Sequence, residues 1–378
     1  MTRRFQRRAL SLILATSVAW SQVTPAAHAD PRPASVEAWE KSTSARLVAD
    51  GSLSDVLALS ATNVWAVGQQ QIWDVWKNRG TIRHWDGTRW AEVAIRDTAG
   101  TVNLRGVAAA SASDVWAVGD GVDGLPYLAH GDTGGFSRVR VEGLWAGDWL
   151  GGVDARTGRV VAVGSGKSRD QRSNKMVGLV VVGEDGRWTV RDTDAEGALY
   201  AVAEGIAVGD TGTGPLIVHE SGDTWKAVPV PDIPGGYLRD VQVDNSKRAM
   251  AVGGVYHGPG DVEPLVLSWN GKRWKREKLP ATASRLYGVT GDGKGRYWAA
   301  GYDPAQPVEP FMLRYEKGDW EIIRGGAARG RDSVRLQAVT YLPGKGAVWA
   351  VGHAVDTAER YTDVVESFGA GSPPPKDS

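Results

Sequence analysis

Ten residues of this 378-residue chain combine type and loop position in a way suited to gripping a ligand. They are Trp73, Trp76, Trp145, Trp149, Tyr237, Tyr256, His257, Tyr302, Asp303 and His353. Trp73 and Trp76 lie in QQQIWDVWKNRG, and Trp145 and Trp149 in RVEGLWAGDW. Tyr256 and His257 share GVYHGPGDVE with Asp261, and Tyr302 and Asp303 begin YDPAQPVEP. Aromatic rings stack on the apolar faces of sugars, and Asp and His supply the acceptors and donors that hydroxyls need. The same residue types anchor protein partners, through a larger and flatter patch. Glycoside hydrolysis or lysis would need more, namely two facing carboxylates about 5–10 Å apart. Asp120, Asp210, Asp303 and Glu309 are available near the same loops, but the sequence does not pair them. P-loop, HExxH and GxSxG motifs are absent; the expectation is a non-catalytic binding protein, with a propeller glycoside hydrolase or lyase as an alternative.

Composition narrows the classes further. Lys plus Arg and Asp plus Glu are both 44, which removes bulk attraction to nucleic acid or anionic membrane. KSRDQRSNK at 167–175 is the one notable basic cluster and reads as a solvated loop. Zero cysteine excludes disulfides, thiol catalysis, Cys-ligated zinc and iron–sulfur clusters. GDGKG at 291–295 reads as a turn rather than a cation loop, and no cofactor or metal is expected. The 17 tryptophans, against 4 Phe, are the unusual feature.

The elements that position these residues form a repeat. NVWAVG at 63–68 and DVWAVG at 114–119 are the sharpest copies of a segment ending in glycine. Weaker copies end at Gly164, Gly209, Gly253, Gly301 and Gly352, at spacings of 51, 45, 45, 44, 48 and 51. Ahead of each runs Leu-x-x-Val, from Leu53/Val56 through Leu104/Val107, Leu150/Val153, Leu199/Val202, Leu238/Val241 and Leu286/Val289 to Leu336/Val339. Behind each glycine comes an apolar run, a Gly-containing turn and an aromatic, as in TIRHWDGTRW, LVLSWNGKRW and FMLRYEKGDW. Such turns favour positive φ and mark tight hairpins. Each unit therefore reads as four short strands, with almost no helix, and a period of 44–51 residues matches propeller blades.

Six units have their fourth-strand aromatic in order. The seventh lacks one, and the segment EAWEKSTSARLV, with Trp39, supplies it from the chain's other end. The expectation is an all-β, seven-bladed β-propeller over residues 30–371, closed by the N-terminal strand, which leaves no long exposed sheet edge. Residues 372–378 read as a disordered tail. In this register twelve tryptophans pack blades: Trp39, Trp65, Trp85, Trp90, Trp116, Trp188, Trp225, Trp269, Trp274, Trp298, Trp320 and Trp349. With Trp20 falling in the N-terminal leader, Trp73, Trp76, Trp145 and Trp149 are left over, all on the face where the second-to-third strand loops and the blade-to-blade connections emerge. Rigid scaffolds with divergent loops on one face are built for recognition. A glycan or cell-surface ligand is expected there, with a secreted protein as the alternative partner.

The first 29 residues read as a secretory signal peptide, with Arg3, Arg4, Arg7 and Arg8, an apolar run ALSLILATSVAW, and Ala27-His28-Ala29 as cleavage site. The apolar run is too short to span a bilayer, and no later stretch would. Cleavage leaves 40 basic and 44 acidic residues, a net charge of −4, and an extracellular protein.

SATNVWAVG at 60–68 and SASDVWAVG at 111–119, each followed by a turn and an aromatic, resemble a family of secreted actinobacterial β-propellers. The resemblance spans nearly the whole mature chain and is sharp only in the first two repeats. It implies a lectin-like module, and some such modules serve as lectin subunits of antibacterial umbrella toxin particles. The shared motif is structural, so it carries no binding residue across. HESGDTW at 219–225 is similar to the Asp-box hairpin of sialidases, with Glu220 in place of its Asp and Val218 in place of its Ser. That box is a turn motif remote from sialidase chemistry and adds little to an enzymatic reading.

Overall fold

The computed structural model describes residues 38–369 apart from positions 41, 49, 98, 99, 171 and 282. The leader at 1–29 and the tail at 372–378 lie outside the described residues. The chain forms seven four-stranded antiparallel sheets, the blades of a β-propeller, and no helix occurs among the described residues. In blade 1 the strands run Ser52–Ser60, Asn63–Gln70, Arg79–Trp85 and Trp90–Glu92, from the inner strand outward. The inner strands of blades 2–7 are Thr101–Ser111, Trp149–Arg156, Ala198–Ala203, Gly236–Asn245, Arg285–Gly291 and Arg331–Leu342.

The ring closes as expected. Ala38–Trp39 is the outer strand of blade 7 and pairs with Tyr361–Gly369, Trp39 facing Phe368. The chain then runs along the same blade, where one carboxylate organises it. Asp363 accepts from the backbone N–H of Ala45 at 2.6 Å and of Leu47 at 3.0 Å, and from the Ser44 hydroxyl. Glu366, buried with Arg331, receives the Ser42 hydroxyl. Burial raises the Glu366 pKa, while Ser42 and Arg331 pull it back down.

Each blade is apolar on both faces, because both face a neighbour. The buried residues fall into seven clusters, one per interface. A tryptophan of one second strand meets an outer-strand aromatic of the next blade at several of them. Trp65 packs against Phe136, Trp116 against Trp188, and Trp349 against Trp90, with ring centres 5.6–6.0 Å apart. Each such ring buries on the order of 150–250 Å². That accounts for the tryptophans assigned to blade packing.

Leu-x-x-Val has a second meaning. Residues three apart on a regular strand point to opposite faces. Yet Leu53 and Val56 lie in one interface cluster, and so do the other six pairs. A β-bulge directly after each leucine makes this possible, and all seven inner strands carry one. The bulge pushes the backbone toward the second strand. A Cβ on Gly68, Gly119, Gly164, Gly209, Gly253, Gly301 or Gly352 would fall on the carbonyl oxygen of the residue preceding the leucine. None of these seven glycines has a positive φ, so it is the space that requires glycine.

The inner strands present unpaired backbone edges to the channel, and side chains of one blade satisfy N–H groups of the next. Asp55 accepts from Val107 at 2.8 Å, Asp154 from Glu204 at 3.1 Å, Asp240 from Val289 at 2.7 Å, Thr290 from Tyr341 and Thr340 from Ala58, both at 3.0 Å. All five staples point the same way around the ring. Asp55 and Asp240 are surrounded by protein while keeping slight access to the channel. Desolvation pushes each up to about 7, against the pull of two backbone N–H donors.

Candidate binding face at the channel mouth

Inner strands begin on the upper face, so residues flanking each Leu and each repeat glycine encircle the mouth of the channel. Cross-strand partners there are Ser52 with Gln69, Asn103 with Asp120, Trp149 with Ser165, Ala198 with Asp210, Tyr237 with Gly254, Arg285 with Tyr302 and Arg335 with His353. The bulge adds a further residue per blade: Ser54, Arg105, Gly151, Tyr200, Arg239, Tyr287 and Gln337. Bulges re-aim side chains and recur beside functional sites. These residues were not singled out in the sequence, although the odd Leu-x-x-Val spacing marks where they fall.

Together the two sets build alternating cations and rings. Arg105 lies over Trp149 at 5.1 Å, and Trp149 meets Tyr200 edge-on at 5.4 Å. Arg239 covers both Tyr200, at 4.3 Å, and Tyr237, at 5.2 Å. Across the next blades Arg335 covers Tyr302 at 5.0 Å. Cation–π contacts of this kind hold planar groups in fixed orientation. Burial raises the pKa of Tyr237, which feels the charges of Arg239 and Arg285 and its neighbour Tyr287. Tyr200 is likewise raised by burial, with Asp210 adding to the effect. Tyr200 and Tyr237 are therefore neutral hydrogen-bonding groups.

His353 is 6 % exposed. Its Nδ1 lies 2.8 Å from the Ser52 hydroxyl, and its ring lies 4.7 Å from Tyr361. Desolvation, assisted by the Arg335 charge, lowers its pKa to about 4, so it is neutral near pH 7. Its Nε2, the Nε of Arg335, the Oδ1 of Asn103 and the hydroxyl of Ser284 are buried without a hydrogen-bond partner among the described residues.

The ten residues expected to bind ligand thus occupy one face in distinct settings. Trp149, Tyr237, Tyr302 and His353 come together around the mouth. Trp73, 65 % exposed, packs edge-on against Tyr361, the ring that also lies beside His353. Trp76, 92 % exposed, stands on a turn held by Asp74, which accepts from the Trp76 N–H and pairs with Lys77. Trp145 stacks with Arg169 at 4.7 Å, and Asp148 accepts from both Arg169 and the Trp145 N–H. Tyr256 and His257 are exposed near the end of a long second strand, His257 beside Glu263. Asp303 is buried, caps the Ala305 N–H and pairs with Arg324. Groups of three or more metal-binding side chains are absent among the described residues, as are helices long and apolar enough to cross a membrane.

The scan against protein-family models found no match, and no curated protein matches the sequence. Solved structures do resemble it. YCF48 bound to D1 peptide is 13 % identical, over 88 % of this chain and 95 % of that one, with a TM-score of 0.56. Sqt1 of Chaetomium thermophilum is 9 % identical, over 84 % and 85 %, with a TM-score of 0.55. SapL1 lectin in complex with alpha methyl fucoside is 12 % identical, over 88 % and 98 %, with a TM-score of 0.41. At these identities the likeness concerns the propeller fold alone.

Proposed function

We propose that this protein is an exported, non-catalytic binding module, lectin-like in character, that takes its ligand on the upper face of the propeller. The observation that carries this reading is the contrast in that face. A repeated backbone delivers non-repeated Trp, Tyr, Arg, Asn and His side chains to one mouth, and several of their buried polar atoms lack partners. Many of the other unpartnered buried atoms are indole nitrogens of tryptophans packed between blades, whereas those of Asn103, Ser284, Arg335 and His353 lie beside the aromatic mouth, where they suit a ligand rich in hydroxyls. Three of the four carboxylates that hydrolysis would draw on face arginines: Asp120 is paired with Arg105, Asp303 with Arg324, and Glu309 lies 4.0 Å from the same arginine, while Asp210 accepts from the Gly212 N–H and acts on Tyr200. The leader motif supports export, and the family resemblance supports a targeting role within a secreted toxin particle.

A glycan array probed with the secreted protein, alongside a pull-down from culture supernatant, tests this reading. Sugar binding that is lost on replacing Trp73, Trp76 and Trp149 by Ala is the expected result. A stoichiometric protein partner with no glycan bound would replace it with an assembly role, and turnover of polysaccharide would overturn both.

A further inference from the structure

The mouth is electrically lopsided. Arg105, on blade 2, is neutralised by Asp120. Arg239, on blade 5, shares Tyr200 with the Asp210 carboxylate, whereas Arg285 and Arg335, on the successive blades 6 and 7, have no carboxylate within ion-pair distance among the described residues. Such neighbouring uncompensated cations stand out in a chain with equal numbers of acidic and basic residues. Like charges at close quarters repel, and the repulsion is relieved when an anion binds between them.

Two buried, unpartnered nitrogens mark the same arc. Arg335 Nε and His353 Nε2 belong to cross-strand partners in blade 7, and His353 is more than nine-tenths buried. The unpartnered Ser284 hydroxyl immediately precedes Arg285 in blade 6. Tyr302 is fixed beneath the Arg335 guanidinium, and Tyr237 beneath that of Arg239. A guanidinium fork matches a carboxylate in shape and charge, and adjacent ring faces suit a pyranose.

We infer that the arc formed by blades 5–7 binds the carboxylate of an acidic sugar, with Arg285 and Arg335 as its anchors and Tyr302 as the stacking platform. This inference rests on the glycan-binding reading of the upper face and narrows it to uronic or sialic acids. A free carboxyl-terminal peptide would offer the same charge without a ring to stack on Tyr302, which is why the sugar is favoured.

The test is a titration of the full secreted protein with sialyllactose and with trigalacturonate, each beside its carboxyl-reduced, neutral counterpart. At least one acidic glycan should bind, with about tenfold or greater weakening on reduction of its carboxyl group, the scale of one lost charge-assisted contact. Arg335→Gln and Arg285→Gln should each weaken the acidic form by a similar factor while leaving the neutral form unaffected. Arg187→Gln, on the opposite face, should leave both unchanged, and equal melting temperatures would show that the variants fold. Equal affinity for acidic and reduced glycans would overturn the carboxylate inference but leave the glycan reading intact. Binding of an acidic peptide with no glycan bound, or of none of these probes, would overturn both.

Discussion

The interior of each blade and the channel mouth are built on the same strands and obey opposite rules. In the interior the seven units share one set of features. Leucine and valine face one neighbour, a bulge follows the leucine, and a glycine receives the displaced carbonyl. At the mouth, the residues one step before and after that leucine follow no repeat: Ser52 and Ser54 in one blade, Trp149 and Gly151 in another, Arg335 and Gln337 in a third. The difference teaches where tolerance lies. Packing on both faces fixes the interior, while the bulge sets one residue per blade outside that packing, where its type varies from Gly151 to Arg239 and Tyr287.

The sharpest way to break this comparison is to add a methyl group at a repeat glycine. Gly164→Ala places Cβ on the Trp149 carbonyl, and no small shift relieves it because the obstacle is backbone. A loss of more than about 3 kcal/mol, or failure to fold, is expected in chemical denaturation. Tolerance of that change would mean the bulge is not a fixed feature. Next in size is the latch. Asp363→Ala strips acceptors from the Ala45 and Leu47 N–H groups and should cost about 2–4 kcal/mol, with blade 7 opening first in hydrogen exchange. Truncation through residue 45 should be more damaging still than removal of residues 372–378. Equal melting of the two truncations would reject closure by the N-terminal strand.

The staples predict a pH signature. Asp55 and Asp240 sit near 7 when folded, far above the usual carboxylate value, so the folded state keeps protons that the unfolded chain has released. Their contribution is complete below about pH 4 and is lost as pH rises through 7. His353, held near 4, acts the other way: its contribution is full above about 6.5 and is lost as pH falls through 4. Replacing both aspartates by Asn should remove the falling limb, so that melting temperature rises with pH between 4 and 6.5. A profile unchanged from the parent would refute the channel setting of these carboxylates. The smallest effect belongs to the mouth's periphery. Trp76→Ala should alter stability by less than about 0.5 kcal/mol, because the side chain is 92 % exposed.

The blade count, the order of strands and the closure by Trp39 were legible because periodic glycines and turn aromatics repeat in the sequence. The bulge was legible only in hindsight. Leu53 and Val56 are three apart, and in a blade buried on both faces that spacing alone does not say they share a face. Arg105, Tyr200, Arg239 and Tyr287 were overlooked for that reason. The unpaired state of Arg335 was also illegible, because a sequence counts charges and the mouth depends on which of them meet. Asp303, by contrast, stood out in a polar loop and is turned inward to Arg324.

The central claim, that recognition belongs to the upper face, is tested most directly by comparing single alanine substitutions on the two faces for glycan-array binding. Trp149→Ala and Tyr302→Ala at the mouth should abolish the signal. His130→Ala, stacked on Trp116 in the cavity of roughly 420 Å³ between blades 2 and 3 on the opposite face, should leave it intact. Loss of binding with His130→Ala and its retention with both mouth variants would contradict the account.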